Sequence, residues 1–195
     1  MKKNMPRPNT FYPLYFDHVH PYSFWQNVFT KEECEKIIDL GTSIPLECGE
    51  TVGNNDFRKS SVSWIFPDPE INWIFEKLSH HINVINDQFF KFDIFGLAEG
   101  LQFTKYEAPD NKYQKHTDRL FNTLTRKISV TVQLSEPETY TGGDLCLYQE
   151  ESPTTLLKSQ GTLIAFPSFM LHEVTPVETG TRYSLVAWVT GKPFR

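Results

Sequence analysis

The sequence predicts a mainly β (α+β) fold, a strand-built sandwich or barrel with two helices packed on one outer face. Three observations carry this. Apolar residues recur at steps of three and four only in the first half of the chain. From about Ile94 onward the period changes to two, in short runs separated by turn clusters. The 195 residues, 39% hydrophobic and 14% aromatic, suffice for one sizeable core and fall short of two full domains.

Up to about Asn27, Pro, Tyr, Phe and His follow no clear period and read as an irregular or short-strand segment. Thr30-Lys-Glu-Glu33 is a capping box, and Cys34, Ile37, Ile38 and Gly41 continue it at helical spacing, so a helix is expected over about 31–41. A polar loop follows at 49–56, then a β-prone run at 60–66. Asp68 as N-cap and Pro69 at the first helical position open a second helix over about 69–90, with Ile71, Ile74, Phe75, Leu78, Ile82, Ile85 and Phe89 on one face. Strands are expected at 101–106, 128–134, 144–148, 155–157, 162–166 and 183–189. Helices followed by six or more strands form separate layers.

Composition excludes some classes of function. Lys plus Arg number 19 against 24 Asp plus Glu, a net charge of −5, so there is no global basic field for nucleic acid. The start, Met-Lys-Lys-Asn-Met-Pro-Arg-Pro, is basic but leads into no apolar run, and no other stretch is long enough to span a membrane. Cys34, Cys48 and Cys146 are odd in number and in no CxxC spacing, which points to reduced thiols used in packing and to a soluble, cytoplasmic protein. Of the six histidines, His18, His20, His80 and His81 read as surface or helix residues.

The remaining two are candidates for chemistry. In His116-Thr-Asp118, residues two apart on a strand project from one face, so an imidazole and a carboxylate would share a space. His172, just past the strand ending at Phe166, supplies a third donor, since a rolled sheet brings distant positions together. Two imidazoles and a carboxylate on one face suit a divalent first-row metal with positions left open. A lone HxD recurs by chance, and its weight comes from what accompanies it. Arg182 shares a strand face with Ser184, Val186 and Trp188, and a guanidinium inside a barrel requires an anion, which a carboxylate held by Arg182 and Ser184 would supply. The alternative is an exposed arginine on an edge strand, paired with Glu173 or Glu178.

These residues lie in a longer run: Leu101-Gln-Phe-Thr-Lys-Tyr106, Tyr113-Gln-Lys-His116-Thr-Asp118, Ser129-Val-Thr-Val-Gln-Leu134, Tyr140-Thr-Gly142-Gly143-Asp144, Gly161-Thr-Leu-Ile-Ala-Phe166-Pro167, His172-Glu-Val-Thr-Pro176 and Thr181-Arg182-Tyr-Ser-Leu-Val-Ala-Trp188. In content and order the run resembles the iron(II)- and 2-oxoglutarate-dependent dioxygenases, in their prolyl 4-hydroxylase-like branch, over about the last hundred residues. The resemblance implies a double-stranded β-helix (jelly-roll, cupin-like) barrel with supporting N-terminal helices on one face. It implies a single domain over 1–195, with helices, a lid loop and supporting strands in 1–93 and the catalytic β-barrel core in 94–195.

By the same resemblance His116, Asp118 and His172 are the iron ligands and Arg182 grips the distal carboxylate of 2-oxoglutarate. Tyr106, Thr131, Gln133, Ser184 and Trp188 are its further cosubstrate contacts. Two positions depart from the family's pattern: Glu107-Ala-Pro-Asp-Asn replaces a Gly-containing turn, and Gln133 stands where some relatives carry a tyrosine. The implied cofactors are Fe(II), 2-oxoglutarate and O2, with ascorbate as a reductant, and Phe103, Phe166, Leu163 and Trp188 are expected to wall the pocket. The implied reaction is hydroxylation of an unactivated C–H bond, first of all in a prolyl residue of a protein or peptide, with release of succinate and CO2. Arg58, Trp64 and Tyr113 are the expected substrate contacts. A hydroxylase of a free amino acid or other small metabolite is the alternative, and a catalytically silent β-barrel binding module is the reading from a different class.

Overall fold

In the computed structural model, which describes residues 20–49, 56–119 and 124–193, two antiparallel sheets face each other and two helices cover the outside of the larger one. His18, the rest of the segment before residue 20, and 50–55 of the polar loop lie outside the described residues. After β1 (Ser23–Trp25) comes α1 (Lys31–Ser43). Its capping box forms as the spacing predicts: the Glu33 N–H donates to Thr30 Oγ1 at 3.2 Å and the Thr30 N–H to Glu33 Oε2 at 2.8 Å. Cys34, Ile37 and Gly41 are its buried face.

β2 (Glu47–Cys48), β3 (Arg58–Lys59) and β4 (Ser61–Ile65) lead to α2 (Asn72–Ile85), which is shorter at both ends than the apolar spacing predicts. Asp68 does accept an amide, from Glu70 at 3.0 Å, but this closes a local turn, and regular helix begins only after Ile71. At the far end, Asn86–Phe90 widens into a π-helical turn. The Lys91 N–H reaches back five residues to the Asn86 carbonyl, while the Asn86 side chain ties both the N–H and the carbonyl of Phe92 at 2.9 Å.

The remaining strands are β5 (Ile94–Leu97), β6 (Leu101–Glu107), β7 (Lys112–His116), β8 (Arg126–Gln133), β9 (Tyr140–Gly142), β10 (Leu145–Tyr148), β11 (Thr154–Thr155), β12 (Leu163–Pro167), β13 (Leu171–Val174) and β14 (Val177–Gly191). The strand expected at 155–157 shrinks to β11, because Leu156 turns into the core between the sheets. The large sheet runs β1-β12-β8-β14-β6-β4-β2, with β5 and β9 also paired to β14; the small sheet runs β11-β10-β13-β7-β3. Strands from the first 93 residues thus extend both sheets: β1, β2 and β4 in the large one, β3 in the small one. The turn after β6 carries Asp110 at φ 69°, an Asp in the left-handed conformation where a glycine would otherwise serve.

Alternation along the strands sorts the side chains. Leu101, Phe103, Val130, Val132, Leu185 and Ala187 face the helices and pack on Ile37, Ile74, Leu78 and Ile85. The opposite face of the same strands looks toward the small sheet, where Tyr106, Leu145, Leu147, Ile164, Phe166, Val174 and Val177 form a second, smaller cluster. The large sheet is therefore buried on both faces, and polar residues on its inner face mark a site. No helix among the described residues is long and apolar enough to cross a membrane. All three cysteines are free thiols; Cys34 and Cys146 are buried, but Cys48 is exposed on the edge strand β2 and does not pack as expected.

Candidate active site between the two sheets

β7 and β13 pair so that His116 lies directly opposite His172, with ring centroids 4.1 Å apart. β7 ends at His116, so Asp118 joins them by a different route from the strand alternation that its spacing predicts. Its N–H donates to the Ser168 carbonyl at 3.0 Å, and its Oδ2 accepts from the Ser129 hydroxyl on β8 at 2.6 Å. His116 Nε2 is then 3.7 Å from Asp118 Oδ1, and His172 Nε2 is 3.6 Å from Oδ2. One ligand atom from each residue lies within 4.8 Å of the others.

The protonation pattern follows from the surroundings. His116 Nδ1 faces the Gln114 carbonyl at 2.7 Å and His172 Nδ1 the Met170 carbonyl at 2.9 Å. A carbonyl can only accept, so each Nδ1 carries the proton and the neutral ring leaves its Nε2 lone pair toward Asp118. Burial, reinforced by the neighbouring His172, pushes His116 down to about 4, which keeps it neutral and able to ligate near neutral pH. Burial alone would raise the Asp118 carboxyl; His172, His116 and the Ser129 hydroxyl outweigh it and hold the group below the ordinary carboxylate range. The Trp188 indole N–H adds to that effect, although it makes no hydrogen bond of normal geometry. Tyr113 stacks on His116 at 3.5 Å and Phe166 meets the edge of His172 at 4.7 Å, so both imidazoles are fixed in orientation.

Arg182 enters from the large sheet. It is 1% exposed, and its hydrogen-bond partners are neutral: Gln133 Oε1 at 2.9 Å and Ser184 Oγ at 3.5 Å. Its Nε has no partner among the described residues. Neither Glu173 nor Glu178 serves as counter-ion; the first accepts from Tyr148 and the second from Thr141. Room for the arginine depends on the double glycine, since Gly142 and Gly143 both have φ above +60° or at it, and a Cβ at Gly143 would lie 3.1 Å from Arg182 Cδ. A buried guanidinium with an open N–H fits an incoming carboxylate, and the donor set of two neutral imidazoles and one carboxylate fits a divalent first-row metal.

The cavity between the donor set and Arg182 is also lined by Ser184 and Trp188, as alternation along their strand predicts, by Tyr106 and Thr131, as the family resemblance implies, and by Arg58 and Tyr113. Gln133 acts at one remove, by holding Arg182. Phe166 and Trp188 wall the cavity, but Phe103 and Leu163 do not: each is one residue out of phase with the cavity-facing positions and belongs to the helix-side core. Arg58 is buried, donating from Nε to Ser60 Oγ at 2.8 Å and from Nη2 to Gln102 Oε1 at 2.9 Å, with its guanidinium 4.6 Å from the Tyr113 ring centroid. Trp64 lies outside the cavity, half-buried in an adjoining groove that shares Arg58 and Gln102 with it. Sequence reasoning missed Ser129 and Gln102. Period two from Thr131 back to Ser129, and from Thr104 back to Gln102, was the signal that could have found them.

Residues 101–190 match the family model of the 2OG-Fe(II) oxygenase superfamily. A PKHD-type hydroxylase of Shewanella sp. (strain MR-7) is 30% identical over 173 residues, an alignment covering 84% of this chain and 75% of that protein. PKHD-type hydroxylases of Crocosphaera subtropica and Picosynechococcus sp. are 37% and 40% identical over shorter segments, which cover 46% of this chain. The chain spans about two fifths of the length of these two relatives, 41% in each case. Among solved structures, a Trichoplax adhaerens prolyl hydroxylase in complex with a hypoxia inducible factor peptide fragment shares the fold with a TM-score of 0.73 at 20% identity, over 88% of this chain and 84% of that one. A Pseudomonas putida prolyl-4-hydroxylase shares it with a TM-score of 0.67 at 21% identity, over 89% and 94%. The two facing sheets are thus the double-stranded β-helix of these oxygenases. The cofactor set that goes with this domain is Fe(II), with 2-oxoglutarate and O2. By these matches the chain belongs to the 2OG-Fe(II) oxygenase superfamily, among the PKHD-type hydroxylases.

Proposed function

We propose that this protein is an Fe(II)- and 2-oxoglutarate-dependent dioxygenase that hydroxylates an unactivated C–H bond in a prolyl residue of a protein or peptide. The observation that carries the reading is Arg182, a buried guanidinium with neutral partners, in the same cavity as the His116, Asp118 and His172 donor set. In this reading those three hold the iron, each imidazole through the Nε2 that its backbone hydrogen bond leaves bare. Arg182, backed by Gln133 and Ser184, anchors the far carboxylate of 2-oxoglutarate, and Tyr106 and Thr131 line its path. When bound, Fe(II) chelated by the 2-oxo acid supplies O2 activation, coupling decarboxylation of 2-oxoglutarate to succinate and CO2 with conversion of substrate C–H to C–OH. Leu145, Phe166, Val174, Val186 and Trp188 keep bulk water from the reacting centre. Tyr113 and Arg58, at the His116 side of the cavity, are assigned to substrate, and Trp64 to the groove leading there.

A peptide substrate is favoured over a free amino acid because the cavity shares Arg58 and Gln102 with an adjoining groove lined by Glu47, Val62 and Trp64, which offers contacts beyond one residue. In the same proposal residues 1–195 work as one dioxygenase domain, ascorbate serves as reductant, and the free thiols fit a reducing, cytoplasmic setting. The test is succinate release from 2-oxoglutarate with Fe(II), comparing prolyl peptides with free proline and using Asp118→Ala as control. Peptide-dependent succinate that disappears in Asp118→Ala is the expected result. Turnover unaffected by Asp118→Ala would sink the metal assignment, and hydroxylated free proline beside unmodified peptides would replace the peptide reading with the metabolite one.

A further inference from the structure

The Trp188 wall of the cavity is braced from behind by two residues that the proposed chemistry does not use. Arg126 opens β8 and Glu99 sits in the turn between β5 and β6. They join through a two-pronged contact, Arg126 Nε to Glu99 Oε2 at 2.8 Å and Nη2 to Oε1 at 2.6 Å, with side chains only 11% and 23% exposed. With the fork engaged, the plane of the guanidinium is fixed, and its carbon lies 3.8 Å from the centroid of the Trp188 ring. Trp188 is itself 7% exposed and touches Trp64 in a tilted contact at 6.1 Å. Its buried indole N–H has no hydrogen-bond partner among the described residues. The N–H acts on Asp118 without normal hydrogen-bond geometry, so that contact alone holds the indole only weakly and a second support matters. A planar cation stacked at van der Waals distance provides one.

Resting on the dioxygenase reading above, we propose that Arg126, pinned by Glu99, is a positioning residue that acts through Trp188 to hold the indole across the cavity beside Asp118. Arg126 lines no part of the cavity, and its influence on the bound 2-oxo acid passes through the ring.

Calorimetric titration of the Mn(II)-loaded protein with 2-oxoglutarate reads this without turnover. Arg126→Met, which keeps the apolar stem and removes the cation, is expected to weaken 2-oxoglutarate binding about tenfold. Arg126→Lys, which keeps a charge opposite Glu99 but not the planar stack, is expected to recover most of the thermal stability and little of the affinity. In Trp188→Leu, adding Arg126→Met is expected to produce no further loss of affinity. The inference is overturned if Arg126→Met binds 2-oxoglutarate like the wild type, if Arg126→Lys restores affinity together with stability, or if the Arg126 and Trp188 effects simply add. Should Arg126→Met not fold, Arg126→Lys and Glu99→Gln carry the same comparison. Wild-type protein that binds no 2-oxoglutarate overturns the dioxygenase reading and this inference with it, whereas wild-type binding with an unaffected variant overturns this inference alone.

Discussion

The Ser129 hydroxyl on β8 donates to Asp118 Oδ2 at 2.6 Å, so a group of the large sheet fixes the carboxylate that stands beside the two histidines of the small sheet. Asp118 lies past the end of β7, where strand pairing no longer constrains its side chain, and the Ser129 contact is what turns Oδ1 and Oδ2 toward the two imidazoles. Ser129→Ala is expected to lower Mn(II) affinity about tenfold, within the range typical of groups that orient a metal ligand. Equilibrium dialysis measures it, and an unchanged affinity would assign the bond to packing alone.

Gln133 and Arg182 offer a sharper test of the proposed carboxylate anchor. Gln133 gives Arg182 a neutral oxygen at 2.9 Å and donates its own amide to the Leu157 carbonyl at 3.0 Å. Gln133→Glu would place a resident carboxylate on the guanidinium and compete with the incoming one. The KM for 2-oxoglutarate should rise more than tenfold while kcat at saturation changes far less, since a charge-assisted pair is being displaced. Gln133→Met, which leaves the guanidinium free, should raise KM much less. Equal effects of the two variants would mean that Arg182 is not the anchor.

Strand alternation explains both what the residue pattern revealed and what it concealed. Period two correctly placed Arg182, Ser184 and Trp188 on one face of β14 and opposed them to Leu185 and Ala187, because a sheet buried on both faces tolerates polar residues only where a site needs them. The same rule, applied to Phe103 and Leu163, sends them to the helix side, against the expectation that they wall the implied pocket. Asp118 was legible as a donor but not the reason for its placement, since a backbone bond to Ser168 and a side-chain bond from Ser129 depend on which strands become neighbours. The widened turn at Asn86–Phe90 was hidden for a related reason. Steps of three and four carry Phe89 onto the buried face, whereas the wider π-helical turn buries Phe90, and the deciding contacts, between Asn86 and Phe92, lie beyond the helix.

Helix α1 touches β6 so closely at Gly41 that a Cβ there would lie 2.2 Å from Phe103 Cγ. Replacing Gly41 with Ala improves helix propensity by about 1 kcal/mol. It also drives a methyl into a ring that is fully buried and stacked on Tyr183 at 5.6 Å, and such overpacking costs about 1–3 kcal/mol. The clash is expected to win, lowering Tm by several degrees, and Phe103→Leu in the same chain should remove part of the penalty. Thermal unfolding of the three variants decides it, and a Gly41→Ala protein as stable as the wild type would show that the ring can move aside.

The thiols should separate by reactivity. Burial pushes the Cys34 thiol up to about 12, against a partly offsetting contact with the Gly161 backbone, and it also raises Cys146. Alkylation needs the thiolate, and at pH 8 only about one Cys34 in ten thousand is ionised, in a position that reagent cannot reach. The exposed Cys48 should therefore take up one equivalent of iodoacetamide, with Cys34 and Cys146 reacting only after unfolding. Because Cys34 titrates so high, raising the pH from 7 to 9 should add no Cys34 product. Peptide mapping by mass spectrometry reads each site, and native-state labelling of Cys34 would contradict its burial.

Arg58 bears on what the proposed enzyme accepts. Its guanidinium is held by Ser60 and Gln102, both neutral, and lies over Tyr113, which in turn stacks on His116. That chain connects the groove containing Trp64 to the donor set without touching Arg182. Arg58→Ala should therefore raise the KM for a prolyl peptide about tenfold, the scale of one lost charge-assisted contact, and leave the KM for 2-oxoglutarate near the wild-type value. Trp64→Ala should act on the same constant and more strongly for longer peptides, because its side chain lines the groove and not the cavity. Steady-state kinetics with peptides of graded length distinguish the two. If Arg58→Ala changes only the constant for 2-oxoglutarate, Arg58 belongs with the cosubstrate and the peptide must approach from another side.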